Sequence, residues 1–173
     1  MSPDSAVSLG RHAAATGKYF ATNLSAPFLC SVFKEAQHKV LPYADMVFGN
    51  ESEAAAYAEA NGLSSSDPET VALAIAALPK ASGTRARLVI ITQGSKPTVV
   101  ACNGKITTYP VPAVPDSEIV DLNGAGDAFC GGFLAGLCKG ASIEQAVDAG
   151  HWAAGQVIRL SGATLPATCE FKF

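Results

Sequence analysis

The chain has 173 residues, 49% of them hydrophobic and 16% charged, which is the balance of a folded globular protein rather than a disordered one. Its formal net charge of −3 and the lack of a Lys/Arg run argue against a nucleic-acid partner. No apolar stretch reaches membrane-spanning length and no charged-then-apolar leader opens the chain, so we expect a cytoplasmic protein with no membrane partner.

Residues 2–62 alternate helical and strand patterns. Ser2 can begin a helix that runs to Thr16 and stops at Gly17. The pattern then predicts, in order, a strand over Lys18–Asn23, a helix over Pro27–Val40, a strand over Ala44–Phe48, and a helix capped by Asn50 that runs through Ala60 and is closed by Asn61-Gly62.

Residues 63–160 continue the alternation. The predicted elements are a loop over Ser64–Pro68, a helix over Pro68–Leu78, a strand over Arg87–Thr92, two strands (Thr98–Cys102 and Lys105–Tyr109) around the hairpin signal Asn103-Gly104, and two helices over Ala125–Lys139 and Ser142–Leu160. Strands that alternate with helices predict an α/β fold with a mostly parallel sheet and helices on both faces. No interdomain linker is evident, so we expect a single domain over residues 1–173.

The stretch Asp121–Phe129 carries the strongest chemical signal. Gly124, Ala125 and Gly126 precede an apolar run with helical spacing, so the unpaired N–H groups at the helix start would be open to a phosphate. Asp127 would lie beside that anion site and could accept a proton from a hydroxyl. The alternative is a helix start made of small residues, with Asp127 as a favourable N-terminal charge.

The known phosphate motifs do not describe this stretch. A P-loop pattern is missing from the sequence, and Phe129 stands where a dinucleotide fingerprint needs glycine. The five cysteines form no Cys-x-x-Cys pair and the three histidines lack ligand spacing, which favours reduced thiols and gives no sign of a zinc site.

Three loops are expected at the carboxyl ends of strands, where open α/β sheets bind ligands. They are Gly49–Glu53, Gln93–Lys96 and Leu122–Asp127. In the first of them, Asn50 and Glu53 suit a magnesium ion that keeps several waters. The alternative for this pair is a helix cap, and both roles are compatible.

Asp121–Phe129 resembles the signature Asp-Thr-x-Gly-Ala-Gly-Asp-x-Phe of the ribokinase-like (PfkB) carbohydrate and purine kinases, with Leu122 in the place of Thr. Four further segments resemble the adenosine kinase branch of that family and occur in its order: Asn23–Phe28, Phe48–Ala54, Thr92–Gly94 and Ala149–Ala154. The resemblance implies a three-layer α/β/α ribokinase-like (Rossmann-like) fold with one β-hairpin.

The resemblance also implies a function. It is ATP-dependent phosphorylation of the adenosine 5′-hydroxyl to AMP in purine salvage, with Asp127 as the catalytic base and Gly124, Ala125 and Gly126 as the anion hole. The implied cations are Mg²⁺, held by Glu53 through water, and K⁺ near the signature loop. The implied ATP-binding residues are Asn50, Thr92, Gln93, Gly94, Asn123 and His151. For His151, a position in the protein core is the alternative.

The resemblance covers the C-terminal half of such a kinase. We therefore expect an incomplete sheet, an acceptor site mostly outside this chain, no lid, and no activity from this chain alone. A non-catalytic nucleotide-binding or partner-binding remnant is the first alternative. A PfkB sugar kinase is the second, and it fits Asn23–Phe28 and Phe48–Ala54 less well.

Overall fold

A computed structural model describes residues 2–81 and 85–172 of the chain. These residues form two compact units, Met1–Thr108 and Tyr109–Phe173. The first unit contains the sheet and the second is helical. The expected α/β fold class is confirmed.

The first unit follows the predicted alternation. Its elements are α1 (Pro3–Thr16), β1 (Ala21–Asn23), α2 (Pro27–Val32), α3 (Lys34–Val40), β2 (Met46–Asn50), α4 (Glu51–Asn61), α5 (Pro68–Ala76), β3 (Leu88–Gln93), β4 (Lys96–Cys102) and β5 (Lys105–Tyr109). The strands lie in the order β1-β2-β3-β4-β5. The pairs β1–β2 and β2–β3 are parallel, and the pair β3–β4 is antiparallel.

Local chemistry explains most of the helix ends and turns. Gly17 (φ 70°) and Gly62 (φ 66°) adopt the left-handed conformation that ends α1 and α4, as predicted. Asn103 (φ 50°) and Gly104 (φ 70°) both have positive φ, so the hairpin turn between β4 and β5 is confirmed.

The clearest differences from the predicted elements are in the helix over Pro27–Val40, the strand over Lys18–Asn23 and the loop over Gln93–Lys96. The helix expected over Pro27–Val40 breaks at Phe33 (φ −109°, ψ 24°), beyond which Lys34 Nζ donates to the carbonyl of Ala60 at 2.8 Å. The expected strand Lys18–Asn23 is limited to β1, since only three residues find register partners on β2. The sheet also has a second antiparallel turn, because Gly94 (φ 60°) lets β3 fold directly back into β4.

Arg87 lies at the centre of the first unit, although the sequence pattern did not single it out. Its side chain is 1% exposed, and burial lowers the pKa of its guanidinium. The guanidinium donates to five carbonyls at 2.7–3.2 Å, those of Leu41, Ala44, Ile75, Leu78 and Pro79. One side chain therefore joins the segment before β2 to the end of α5.

We expect Arg87→Met to lower the free energy of unfolding of the first unit by about 3 kcal/mol or more. Each buried carbonyl left without a donor costs about 1–3 kcal/mol. All five carbonyls lose the guanidinium, although those of Leu41 and Ile75 keep the N–H groups of Ala44 and Leu78 as donors. Urea denaturation followed by circular dichroism measures the change. Arg11→Met, at an exposed arginine, is the control. Equal urea midpoints for the two variants would show that Arg87 is dispensable.

The second unit is built on two tightly packed helices, α6 (Ala125–Cys138) and α7 (Ile143–Val157). A Cβ atom at Gly132 would lie 2.4 Å from the carbonyl oxygen of Ala149, and one at Gly150 would lie 2.8 Å from the ring of Phe129. Only glycine permits both approaches. Across the two described ranges, no helix combines the length and apolar character needed to cross a membrane.

Candidate active site

Two of the three loops expected at the carboxyl ends of strands, those after β2 and β3, are neighbours in the first unit, whereas the third, Leu122–Asp127, lies in the second unit. β2 and β3 are parallel, and Asn50 at the end of β2 is the register partner of Thr92. Thr92 Oγ1 lies 3.4 Å from the carbonyl oxygen of Gly49 on the neighbouring strand. The residues expected to contact ATP in these two loops are therefore neighbours.

Asn50 and Glu53 form a reciprocal capping box at the start of α4. Asn50 Oδ1 accepts from the N–H of Glu53 at 2.9 Å, and Glu53 Oε2 accepts from the N–H of Asn50 at 2.9 Å. Asn50 Nδ2 also donates to Glu53 Oε1 at 3.1 Å. Glu53 is buried in this arrangement. The helix-cap alternative is thus present in the structure, and the magnesium role stays a prediction.

The surroundings of Glu53 restrict the kind of metal ion that could bind there. Both of its carboxylate oxygens already accept hydrogen bonds from Asn50. Among residues 2–81 and 85–172, no three His, Cys, Asp or Glu side chains are grouped so as to hold a metal ion. Any cation beside Glu53 would therefore need most of its ligands from elsewhere, as magnesium does when it keeps several waters.

The segment Thr92–Gly94 is part of a tight hairpin rather than of an open loop. Gln93 is the last residue of β3 and pairs with Lys96, and its Nε2 donates to the carbonyl of Pro97 at 2.6 Å. Gly94 has positive φ, and no atom lies within 4 Å of a Cβ built there. The backbone at Gly94 is therefore free of steric cover within the described residues.

In the second unit, α6 begins as the sequence predicted. Gly124 precedes it in the left-handed conformation (φ 80°) and supplies no side-chain cap. Gly126 is exposed, and a Cβ built there would meet nothing within 4 Å. Asp127 is exposed in the first helical turn. An uncapped helix start beside an exposed carboxylate is the arrangement expected for a phosphate and a hydroxyl acceptor.

A hydrogen-bond network centred on Asp121 holds the loop before α6. Its carboxylate accepts from the N–H of Asn123 at 2.9 Å and from the N–H of Gly162 at 3.1 Å, and the bond from Asn123 is the main cause of its lowered pKa. Asp121 thus holds the loop before α6 in position, a role that the sequence pattern does not predict. The exposed side chains of Leu122 and Asn123 leave the ATP contact of Asn123 a prediction.

His151 lies on the inner face of α7. It is 7% exposed, its ring centroid is 5.4 Å from that of Phe129, and burial lowers its pKa. This position favours the core alternative, and its contact with ATP stays a prediction.

Sequence comparison places the chain among kinases of one family. The family model for pfkB family carbohydrate kinases matches residues 1–169. Adenosine kinase 2 of Arabidopsis thaliana is 50% identical over 172 residues, which are 99% of this chain and 50% of the relative. Adenosine kinase of Schizosaccharomyces pombe is 49% identical over 166 residues, which are 96% of this chain and 49% of the relative.

Solved structures give the same result. An Anopheles gambiae adenosine kinase in complex with P1,P4-di(adenosine-5) tetraphosphate matches with a TM-score of 0.90 and 41% identity, over 96% of this chain and 50% of that one. A Schistosoma mansoni adenosine kinase in complex with 2-fluoroadenosine matches with a TM-score of 0.91 and 37% identity, over 95% and 49%. The chain therefore spans about half the length of the relatives that it matches.

Proposed function

The chain belongs to the pfkB family of carbohydrate kinases, and from this premise we propose that it supplies the ATP-binding and catalytic-base half of an adenosine kinase. The reaction is transfer of the γ-phosphoryl group of ATP to the 5′-hydroxyl of adenosine, which gives AMP in purine salvage in the cytoplasm. The observation that carries the proposal is the exposed Asp127 in the first turn of an uncapped α6.

Each part of the α6 start has a separate role in this proposal. The backbone N–H groups around Gly124, Ala125 and Gly126 stabilise charge on the transferring phosphoryl group, since the first turn of α6 has no side-chain cap. The N–H of Ala125 also donates to the carbonyl of Leu122 at 3.3 Å. Asp127 accepts the proton of the attacking hydroxyl. The carboxylate of Asp121 keeps the preceding loop in position through its bonds to the N–H groups of Asn123 and Gly162.

We propose that the loops of the first unit contact ATP. Residues 1–173, which include both units, would then form the C-terminal half of one kinase. Asn50 and Thr92 share one edge of the sheet, next to Gln93 and Gly94. Mg²⁺ would neutralise phosphate charge when bound, and Glu53 would reach it through water. We further propose that Asn123 and His151 contact the nucleotide. The proposed K⁺ would bind near the signature loop, Asp121–Phe129.

We expect Gly126→Val to weaken nucleotide binding while the fold is kept. A β-branched side chain would cover the N–H groups that a phosphate approaches, yet no protein atom lies within 4 Å of the new Cβ. Gly131→Val is the matched control, because Gly131 is an exposed, uncrowded glycine of the same helix, away from its start. Calorimetric titration with ATP–Mg measures affinity. Equal affinities for the two variants would place the anion site elsewhere.

We expect Glu53→Gln to raise the magnesium concentration needed for half-maximal activity more than it changes adenosine affinity. Glutamine also serves in a capping box, so α4 keeps its start while the negative charge is lost. The measurement is a magnesium titration of a chimera in which this chain replaces the matching half of Arabidopsis adenosine kinase 2. Superimposable titrations of parent and variant would leave Glu53 with only the helix-cap role.

A non-catalytic nucleotide-binding remnant is the second candidate, and one observation favours it. Leu122 is exposed where the family signature has threonine, so a hydroxyl is lost beside the proposed anion site at Gly124–Gly126. The same chimera separates the two candidates. A remnant binds ATP without transferring phosphate, and Leu122→Thr would then restore transfer.

A further inference from the structure

The end of the chain lies beside the start of α6 in the second unit. Residues 161–172, which we call the tail, form no helix or strand, and only Gly162 and Phe171 among them are not exposed. The tail forms one side of a cavity of about 520 Å³ whose other sides are α6 and α7. Gly124 and Asp127 line the same cavity. The tail and the proposed phosphate site therefore adjoin each other.

The first residues of the tail contact the loop before α6 at two points. The N–H of Gly162 donates to Oδ2 of Asp121 at 3.1 Å. Ala163 lies directly against Gly124, because a Cβ atom built on Gly124 would be 2.8 Å from the Cβ of Ala163. Gly124 is the residue from which the chain enters α6, so these two contacts restrict the position of the first N–H groups of that helix.

Phe171 holds the other end of the tail. Its ring centroid is 5.8 Å from that of Trp152, a half-buried residue of α7, and aromatic pairs at this distance attract each other. Residues 163–170 are all exposed, so their own burial does little to offset the conformational entropy lost when this segment is held in one place. The Phe171 ring is therefore the main buried anchor of the tail beyond Gly162.

We propose that the tail is a strap that holds the start of α6 in its phosphate-binding conformation, with Phe171 as a positioning residue. While the ring of Phe171 rests on Trp152, Ala163 stays against Gly124 and the bond from Gly162 to Asp121 is kept. This role rests on the proposed function, which identifies the bound anion as the phosphates of ATP. Because coupling between two sites is reciprocal, bound ATP must in turn favour the docked tail.

The first part of the test measures whether Phe171 holds the tail and the loop together. Trp152 is the one tryptophan among the 173 residues, so its fluorescence reports the docking of the tail. We expect Phe171→Ala to shift that emission to longer wavelength. We also expect faster hydrogen exchange at the amides of Asn123 and Gly162, both of which donate to Asp121.

Two further variants make that measurement specific. Glu170→Ala removes the exposed side chain next to Phe171 and should change neither signal. Phe171→Tyr keeps the aromatic ring and should also keep both signals. Equal exchange rates at the two amides in Phe171→Ala and Glu170→Ala would overturn the strap. Circular dichroism of Phe171→Ala should match the parent, since the tail contains no helix or strand.

Titration of the 173-residue chain with ATP–Mg tests the link to the phosphate site. We expect Phe171→Ala to weaken affinity by about fivefold or more, because the ring contact and the burial of the ring are both lost. ATP–Mg should change the emission of Trp152 in the parent and not in Phe171→Ala. Faster exchange with unchanged ATP affinity would contradict the positioning role. A parent chain that binds no ATP–Mg would count against the proposed function, whereas faster exchange in Phe171→Ala would still establish the strap.

Discussion

Asp127→Asn is expected to lower turnover by roughly 10²–10⁴-fold, the usual contribution of a positioned proton acceptor. The test protein is the chimera in which this chain replaces the matching half of the 50% identical Arabidopsis adenosine kinase 2. ATP affinity should change little, because the carboxylate acts on the acceptor hydroxyl. Asp127 is exposed, so asparagine at this position removes the charge without opening a cavity.

Glu144→Gln provides the matched control for that variant. Glu144 is also an exposed acidic residue in the first turn of a helix, α7, so its substitution reproduces the electrostatic loss at a helix start without touching the proposed base. Steady-state kinetics with varied ATP and adenosine separate turnover from affinity. Near-normal turnover of Asp127→Asn, or an equal loss in Glu144→Gln, would remove the base role from Asp127.

The purified 173-residue chain alone is expected to form no AMP from adenosine and ATP. Phosphoryl transfer depends on holding both substrates in line and excluding water. The chain matches about half of each relative, and the family resemblance places the acceptor residues and the lid in the other half. Weak binding of ATP–Mg is compatible with this expectation, because α6 and the Asn50–Glu53 cap are both formed.

A radiolabelled ATP transfer assay measures this directly. Asp127→Asn, prepared in parallel, controls for a contaminating host kinase. AMP formation that depends on Asp127 and reaches ordinary enzyme rates, about 1–10³ per second, would show that this chain holds a complete site.

Short-range chemistry was the part of the structure that could be predicted. Asn50 with Glu53 three residues later predicts a capped helix, and Asn103-Gly104 predicts a tight hairpin; both are present because they depend on neighbours in sequence. The start of α6 at Ala125 was predicted in the same way, from small residues before an apolar helical run.

Features that depend on distant partners were not predicted. The sequence pattern predicts Arg87 as the first residue of a strand, and only the fold brings carbonyls from two separate segments around it. Asp121 belongs to the signature stretch, but nothing in the sequence predicts that its carboxylate accepts a hydrogen bond from the N–H of Gly162, 41 residues away. No glycine or proline at Phe33 signals the break in the helix. Beyond the break, Lys34 at the start of α3 contacts the end of α4.

Because α6 is rich in glycine, the proposed phosphate site at its start depends on packing against α7. The helix contains Gly126, Gly131, Gly132 and Gly136, and each glycine disfavours an isolated helix by about 0.8–1 kcal/mol relative to alanine. By intrinsic propensity α6 would unravel, and its close contact with α7 at Gly132 and Ala149 offsets that tendency. A side chain at Gly132, whose Cβ would lie 2.4 Å from the carbonyl oxygen of Ala149, would therefore destabilise from a distance the helix start that is proposed to hold phosphate.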